Sequence, residues 1–488
     1  MEVNAGRSYS FYQFKPEWLP FNDSAHRLTD HYIAALRLPA TGPKAEKYQL
    51  CVASFLYTAQ RVIESGPTNT FLGVRFKKDA WSVYPMVGRT IGIRVADAFV
   101  RYLKLKKIQG SGSSNLQFDE EEGRYLTNPI MSLFSLTDKE FVPDFYAARF
   151  VQVGLPRVKV NKAEARQQSF ARKADKKSKP SLSPSVMSAK FGEALRASEG
   201  AVDSLNEFWR DHPIVLPNGH AGASAKRVFH DSSLKSGGRF YGLWTGQDKD
   251  DVRLKATIDN EPVCELDINA SQPTLLSCLL GERLGGLKKG DKWTDVYGEL
   301  SKLITTNIDW TKHDGLIDVI DLMKRNRKVA KSVIMEVIGL GASTKSRASI
   351  ALKSDYGLTH KGWEHFLELL VRTVPALERL ENRYNRAGEL TGYINGAGFL
   401  SYHESEIMLR TLTNLMKLNI PAYPVHDCLI VKVTHSKTAA SVYRETTREY
   451  CYKMSGLDVL VPLSCEIDSN APKEHLPNPT ELIGLYLN

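Results

Sequence analysis

The chain has 488 residues, 42% of them hydrophobic, which is enough to bury a large core and predicts two or more domains. Its net charge of +10 suits a polyanionic partner. The N-terminal MEVNAGRSYSFYQF lacks the apolar core of a signal peptide, and no run approaches the ~18 apolar residues of a membrane span. The six cysteines form no CxxC pair, so we expect a soluble cytoplasmic protein with reduced thiols.

Residues 1–155 predict a mostly helical N-terminal domain without a recognisable catalytic motif. Apolar residues recur with helical spacing from Ala45 to Ile63 and again from Ile91 to Leu105. These residues do not indicate a role for the domain.

Residues 156–184 form a basic linker. From Arg157 to Lys179 there are nine Lys/Arg residues and two acidic ones, and PSLSPS follows. One interpretation is a solvated linker; the other is an arm along nucleic-acid phosphates, whose contacts are salt-sensitive and independent of sequence. Both can hold together. The candidate nucleic-acid-binding residues of the arm are Lys173, Lys176, Lys177 and Lys179.

A helical region at 185–235 leads to a glycine-rich segment. Apolar residues from Val186 to Trp209 share one helical face. In SGGRFYGLW, at 236–244, two glycines let the backbone approach a ligand and present the guanidinium of Arg239. Such a turn is common, and Arg239 becomes a candidate because it precedes Asp267 by 28 residues.

A long helical insert occupies residues 281–390. Its strongest helix is predicted from Ile317 to Ile338, with a candidate hinge at Gly339-Leu340-Gly341. A second helix is predicted from Gly362 to Arg386. The residues Lys324, Arg327, Lys331 and Met335 share one face of the first helix, which suits phosphate binding or ordinary solvent exposure.

Residues 391–488 predict a hairpin, a helix, a second hairpin and a strand. GYINGAGFL, at 392–400, resembles a hairpin with an Asn-Gly turn. A helix from Glu404 to Leu418 then leads into AYPVHDCLIVKV, at 422–433, where strand residues flank a turn at His426 and Asp427. A last strand, from Leu457 to Ile467, is expected to pair beside this hairpin.

Two aspartates at strand ends give the chain its chemistry. Asp267 follows the apolar strand Val263–Leu266, and Asp427 lies at the hairpin tip 160 residues later. An aspartate at a turn is often only a turn former. Two such carboxylates, with Arg327 and Lys331 one helical turn apart between them, are instead typical of metal-dependent phosphoryl transfer.

From about Gly237 to Ile467, the order of motifs resembles the family A group of right-hand polymerases. This group includes family A DNA polymerases and the single-subunit RNA polymerases of phages and mitochondria. ELDINASQPTLLS resembles the first palm motif, RKVAKSVIMEVIG the fingers helix, PVHDC the third motif, and GGRFY an Arg-containing segment before the first. ESEIM and LDVLVPLSCEI also lie where the family has related segments.

The resemblance implies a helix-rich α+β right hand. Its antiparallel-sheet palm would comprise residues 236–280 and 391–488, its helical fingers 281–390 and a thumb-like region 185–235, after the N-terminal domain and the linker.

The resemblance also implies residue roles. Asp267 and Asp427 would bind two Mg²⁺ ions, or Mn²⁺ in their place, and His426 would join the catalytic set. Arg327 and Lys331 would bind the incoming triphosphate, with Lys331 donating a proton to the leaving group. The nucleotide-binding set would be completed by Arg239, Met335, Gly339, Ser271 and Gln272.

Departures from the family pattern leave open whether the chain uses deoxyribonucleotides or ribonucleotides. Gly339 and Leu340 stand where the fingers motif usually carries Tyr-Gly, and Cys428 follows Asp427 where many DNA enzymes have Glu and RNA enzymes have Ser. The spacing of polar residues after Asp267 matches the RNA branch, whereas the compact spacing between motifs matches the DNA branch.

The expected function is a compact, exonuclease-free, template-directed DNA polymerase of phage or mobile-element type. Its partners would be a nucleic-acid primer-template, DNA in preference, and nucleoside triphosphates, with no membrane; an accessory replication protein stays open. Alternatives are a single-subunit RNA polymerase, a primase-like or template-independent nucleotidyltransferase, and a nucleic-acid-binding protein that has lost catalysis.

Overall fold

A computed structural model describes much of the chain, which divides into two compact units. The N-terminal unit comprises Met1–Ser232 and Tyr241–Asp259, and the C-terminal unit comprises Ser233–Phe240 and Asn260–Asn488. The described residues are 10–65, 70–76, 81, 87–88, 90–109, 117–119, 124–126, 131–136, 141–142, 144–163, 179–281, 296–307, 319–340, 368–379, 383–384, 390–392, 396–458, 461 and 463–468.

The N-terminal unit mixes helices with many short strands. Its helices are α1 (Asp23–Ala35), α2 (Ala45–Glu64), α3 (Ile91–Tyr102), α4 (Asp144–Ala147) and α5 (Pro184–Asp211). Its strands are β1 (Ser10–Gln13), β2 (Trp18–Pro20), β3 (Thr70–Arg75), β4 (Lys106–Gln109), β5 (Gln117–Asp119), β6 (Arg124–Leu126), β7 (Met131–Ser135), β8 (Phe150–Gln152), β9 (Val158–Val160), β10 (Ile214–Val215), β11 (Ala221–Gly222), β12 (Ala225–Phe229) and β14 (Thr257–Ile258).

Parallel and antiparallel pairs both occur in this unit. One sheet has the order β1-β3-β7-β4, with β1 and β3 parallel. A second contains β14, β10, β11, β8 and β2 in that order, with β11 and β8 parallel. The prediction of a mostly helical N-terminal domain is therefore incomplete, because these two sheets accompany the helices in the described residues. Strands of two to six residues are too short to show a clear alternation of apolar and polar side chains.

Helix α2 forms the centre of the N-terminal core. The rings of Phe55 on α2 and Phe99 on α3 stack with centroids 4.0 Å apart, and both side chains are fully buried. The predicted helices at Ala45–Ile63 and Ile91–Leu105 are confirmed, because their apolar stripes pack into this core.

The C-terminal unit is built around one antiparallel sheet. The order is β18-β19-β15-β20, in which every pair is antiparallel. The segment Ser233–Phe240 contributes the start of β13 (Gly237–Gly242). The remaining elements are β15 (Glu261–Ile268), α6 (Ser271–Leu280), α7 (Val296–Asn307), α8 (Val319–Leu340), β16 (Arg383–Tyr384), β17 (Leu390–Gly392), α9 (Gly396–Lys417), β18 (Ala422–Val425), β19 (Cys428–Lys432), α10 (Ser436–Ser455) and β20 (Leu463–Ile467).

The sequence-predicted elements around this sheet are mostly confirmed. The hairpin β18-β19 extends from Ala422 to Lys432, one residue short of its predicted end. Strand β15 continues two residues past the predicted Leu266, so it contains Asp267, and α8 covers the predicted basic helix. The final strand was expected beside the hairpin, but β20 pairs with β15 instead. A strand's apolar pattern identifies its buried face, whereas its partner is set by tertiary packing.

Two of three local predictions are wrong. The helix expected from Gly362 to Arg386 is helical at 368–373, becomes a 3-10 turn at Pro375–Arg379, and gives way to β16. Proline disfavours the helical conformation of the residue before it, which explains the break. Helix α8 ends at Leu340, within the predicted break at Gly339-Leu340-Gly341, of which Gly341 lies outside the described residues. Residues 396–400, expected in a hairpin, begin helix α9.

Candidate active site

Strand register brings the two aspartates together. Asp267 on β15 is the direct cross-strand partner of Cys428 on β19, and Asp427 immediately precedes Cys428. Across the hairpin, Cys428 pairs with Val425, so His426 and Asp427 form a two-residue turn. Both carboxylates therefore lie at one end of adjacent antiparallel strands, and both side chains are half-buried. Asp427 lies at the predicted hairpin tip, whereas Asp267 lies one residue inside the end of β15 and not after the strand.

Unusual backbone conformations flank both aspartates. His426 has φ +60° at the hairpin tip, and Ala270, three residues after Asp267, has φ +50°. Left-handed conformations cost residues with a side chain roughly 1–3 kcal/mol and persist only where surrounding contacts impose them. The chain turns sharply at both positions. His426 directly follows the end of β18, and Ala270 directly precedes α6.

Tyr443 on α10 holds the hairpin tip. Its hydroxyl donates a 2.8 Å hydrogen bond to the main-chain oxygen of Asp427, and its side chain is 2% exposed. Burial, followed by the charges of Asp427, Asp267 and Glu404, raises the pKa of the Tyr443 hydroxyl well above its usual value. The hydroxyl therefore stays protonated and can donate its hydrogen bond to Asp427, close to all three carboxylates.

Glu404 on α9 is a buried carboxylate with two polar partners. Arg239 donates to Glu404 Oε2 from Nε at 2.9 Å and from Nη2, and Ser271 Oγ donates to Oε1 at 2.9 Å. Burial raises the pKa of Glu404 to about 7; the Arg239 charge lowers it and the Asp427 charge raises it. Glu404 thus joins β13, α6 and α9 close to the two aspartates.

The glycines before Arg239 have a clear conformational role. Gly237 and Gly238 have φ +79° and +88°, values that favour glycine. Ser405 Oγ donates to the Gly237 oxygen at 3.1 Å, next to the Arg239–Glu404 pair. The segment is therefore fixed to α9. The sequence predicted that the glycines present the Arg239 guanidinium to a ligand, and in this structure the guanidinium contacts the Glu404 carboxylate instead.

A further acid lies on the same face of β15 as Asp267. Glu265, two residues earlier, is 1% exposed, and Cys428 Sγ donates to its Oε2 at 3.3 Å. Burial, together with the charges of Glu265, Asp267 and Asp427, raises the thiol pKa of Cys428. Cys428 is therefore a thiol donor here and not a nucleophilic thiolate.

The residues present fit a hard divalent cation held by two carboxylates. Mg²⁺ is usually bound through one or two carboxylates, with water and substrate phosphates as its other ligands. Asp267 and Asp427 supply such a pair, whereas Glu404 is occupied by Arg239 and Ser271. Within the described part of the chain, no group of three or more His, Cys, Asp or Glu side chains is arranged as a metal cluster. Asp267 and Asp427 are therefore the two residues that would hold such a cation.

Helix α8 presents an exposed cationic face. Arg327 and Lys331 are exposed and Met335 is 38% exposed, as their spacing predicts. The Arg327 guanidinium lies 5.7 Å from the ring centroid of Tyr297 on α7, a cation–π contact that restricts its orientation. On the opposite side Ile338 is buried against α9.

Other predicted residues are distributed differently. Ser271 is buried against Glu404, and the neighbouring Gln272 is 8% exposed. Lys179 Nζ lies 3.5 Å from Asp231 Oδ1, which gives this linker lysine a carboxylate partner. Lys173, Lys176 and Lys177 lie outside the described residues.

Sequence reasoning did not assign site roles to Glu404, Tyr443 or Glu265. Glu404 stands in ESEIM, a segment noted only for its place in the order of motifs. Glu265 lies within ELDIN, and its alternation with Asp267 was a usable signal. Tyr443 has no local signal, because its contact with Asp427 depends on how α10 packs.

Comparisons with known proteins give a structural likeness but no match in sequence. No protein-family model matches the chain, and no curated protein sequence matches it. Among solved structures, it is similar to the POL domain of Pol1 from M. smegmatis in a complex with DNA primer-template and dNTP. The identity is 11% and the TM-score 0.33, over 89% of this chain and 71% of that one. No described helix is long and apolar enough to cross a lipid bilayer.

Proposed function

We propose that this chain catalyses template-directed nucleotidyl transfer, with DNA synthesis from dNTPs as the leading activity. The observation that carries the proposal is the register between β15 and β19, which aligns Asp267 with Cys428 and so brings Asp267 beside Asp427. An enzyme that transfers nucleotides must neutralise a triphosphate and activate a hydroxyl, and paired carboxylates at a strand edge serve that chemistry.

Asp267 and Asp427 are the proposed ligands of two Mg²⁺ ions. When bound, such ions supply Lewis-acid stabilisation of the transferring phosphoryl group and activation of the attacking 3′-hydroxyl. The two side chains orient the reacting groups. Tyr443 keeps Asp427 in place through the 2.8 Å bond to its main-chain oxygen. His426, also assigned to the catalytic set, holds the turn that presents Asp427.

Glu404, Arg239 and Ser271 are proposed to support the aspartates. Their hydrogen bonds tie α9, β13 and α6 together next to Asp427, whose charge raises the pKa of Glu404. A rigid carboxylate–guanidinium pair fixes the geometry of the surrounding backbone. On this proposal, Arg239 and Ser271 can contact a nucleotide only after their hydrogen bonds to Glu404 are broken.

The exposed face of α8 is the proposed triphosphate site. Arg327 and Lys331 place two cations one helical turn apart, and a triphosphate presents negative oxygens along its length. Lys331 occupies the motif position whose ammonium is proposed to donate a proton to the departing pyrophosphate. Met335, which is partly exposed one turn further, supplies an apolar surface for the nascent base pair. Gly339, four residues after Met335, is the last proposed nucleotide-binding position on this face of α8.

In the proposed right hand, the antiparallel sheet of the C-terminal unit is the palm and α7 and α8 belong to the fingers. Residues 185–235 are the proposed thumb. The linker lysines are the proposed contacts to primer-template phosphates.

Primer extension tests the activity directly. A labelled primer on a DNA template and on an RNA template is offered dNTPs or NTPs with Mg²⁺, beside a lane without primer. The comparison variants are Asp267→Ala, and Asp458→Asn as a matched control. Asp458 is an exposed acid of the same unit, paired with Arg448.

We expect template-dependent products that Asp267→Ala loses and Asp458→Asn retains. The nucleotide incorporated separates DNA from RNA synthesis, and products without primer or template identify a primase-like or template-independent enzyme. Absence of product in every lane, with DNA binding intact, would favour a catalytically inactive nucleic-acid-binding protein.

A further inference from the structure

The N-terminal unit contains a cavity to which no function has been assigned. It has a volume of about 560 Å³ and is lined by residues from β1, β2, α2 and β8, together with Lys226 and the segment 241–246. Cavities of roughly 300–1,000 Å³ are typical of small-molecule sites. The polymerase proposal gives this cavity no role, and its lining side chains indicate the chemistry of its ligand.

Aromatic rings form one wall of the cavity. Trp18 and Tyr57 stack with centroids 3.5 Å apart and ring planes at 18°. The stack is fixed, because the Trp18 main-chain N–H donates to Ser54 Oγ at 2.8 Å, and Ser54 Oγ donates back to the Trp18 oxygen. Tyr12 adds a further half-buried ring to the wall. Such rings bind nucleobases by stacking.

Cationic side chains lie beside these rings. The Arg61 guanidinium lies 5.2 Å from the ring centroid of Tyr12, and Lys15 and Lys226 also line the cavity. Glu17 is the acid among the lining residues, so cations are in excess. A planar guanidinium held against a ring is suited to bidentate phosphate binding.

Two buried glutamines supply polar groups for recognition. Gln13 and Gln152 line the cavity and are 4% and 9% exposed. Within the described residues, Oε1 of each side chain is buried and lacks a hydrogen-bond partner. A buried polar group without a partner is destabilising, so a ligand that donates a hydrogen bond to either oxygen would be favoured.

We propose that this cavity binds a nucleotide. The base stacks on the aromatic wall, its polar edge contacts Gln13 and Gln152, and its phosphate contacts Arg61 with Lys15 and Lys226. Phosphate alone would leave the aromatic wall unused, and an uncharged aromatic ligand would leave the cations unused. The nucleotide comes from one of two sources, a free nucleoside triphosphate or a nucleotide within a single strand.

Photocrosslinking on the full-length chain tests the location and the source. The probes are 8-azido-ATP and a thymidine octanucleotide that carries one 5-iodouracil, both in EDTA, followed by peptide mapping. We expect adducts on peptides that contain Tyr12, Trp18 or Tyr57. Adducts from 8-azido-ATP alone identify a free nucleotide, and adducts from the oligonucleotide alone identify a strand. Adducts only outside the cavity, or none with either probe, would overturn the proposal.

Affinity measured by fluorescence anisotropy with labelled forms of the same probes gives a second test. The double variant Arg61→Met/Lys226→Met should bind at least tenfold more weakly, whereas Lys44→Met should bind like the parent chain. Lys44 is an exposed lysine of the same unit outside the cavity wall. Thermal unfolding checks the fold, and Lys15→Met, at a half-buried position, replaces the double variant if that one fails to fold. Unchanged affinity in the folded cavity variants would contradict the proposal.

Discussion

Arg239 and Glu404, 165 residues apart in the chain, form a two-contact ion pair beside the candidate catalytic aspartates. The Glu404 side chain is 4% exposed and that of Arg239 is 22% exposed. Because water scarcely reaches the Glu404 carboxylate, the free energy of its charged form depends strongly on the Arg239 guanidinium.

A double-mutant cycle on this pair should show strong coupling. Arg239→Met should lower the free energy of unfolding by about 1–2 kcal/mol at pH 8, because the buried Glu404 carboxyl, with its pKa of about 7, then loses its cationic partner and takes up a proton. Adding Glu404→Gln should recover part of that loss, since the double variant buries no charge. Urea unfolding of the four proteins gives the coupling energy. Additive effects of the two single substitutions would contradict the prediction.

The pH dependence of stability should reveal the raised pKa of Glu404. Burial is the largest cause of that pKa of about 7. The folded state therefore holds this proton more tightly than the unfolded state, so the stabilisation is complete below about pH 4.5 and is lost as pH rises through about 7. Glu404→Gln does not ionise, and should gain stability relative to the parent chain by about 3 kcal/mol across this interval. Urea titrations at four pH values measure the difference, and parallel stability curves would refute it.

Removing one acidic charge at the hairpin tip should abolish catalysis without unfolding the chain. Asp427→Asn keeps the size of the side chain and the main-chain oxygen that Tyr443 contacts, but loses the anionic ligand. We expect incorporation to fall by at least about 1,000-fold, with circular dichroism and primer-template affinity unchanged. Near-normal incorporation would remove Asp427 from the proposed metal site.

Tyr443→Phe should impair positioning more than binding. The variant loses the 2.8 Å hydrogen bond to the Asp427 oxygen. Unfolding free energy should fall by about 1 kcal/mol, and kcat by about 10–100-fold with KM little changed. Tyr452→Phe, on the exposed side of the same helix, is the matched control, because Tyr452 is 59% exposed. Equal effects of the two substitutions would argue against a positioning role for Tyr443.

The linker lysines should differ in their contribution to nucleic-acid binding. If the linker follows phosphates, replacing Lys173, Lys176 and Lys177 with Gln should reduce the slope of log K against log salt by about 2–3. Lys179→Gln should add little, since Lys179 Nζ lies 3.5 Å from Asp231 Oδ1. Anisotropy titrations at several salt concentrations measure the slope. An unchanged slope in the triple variant would indicate a solvated linker.

The sequence by itself determined the elements that carry the two aspartates. The strand before Asp267, the hairpin around Asp427 and the basic helix with Arg327 and Lys331 all follow from local patterns. Strand alternation and helical spacing reflect the period of a single element, so they can be read without knowing what that element packs against. The same local rules misread Gly396 as part of a hairpin turn. In the structure, a side chain there would lie 2.5 Å from the Ile338 oxygen, so glycine permits close packing of α9 on α8.

Only the tertiary structure decided which residues surround those aspartates. Glu404 meets Arg239 and Ser271, and Tyr443 meets Asp427, through contacts between elements that are distant in the chain, and β20 pairs with β15 and not with the hairpin. No local pattern encodes these contacts, because they arise when apolar faces from separate segments pack together and buried polar groups must then find partners. The sequence supplied the charged groups, and the packing of the sheet with α6, α9 and α10 determined which of them act together.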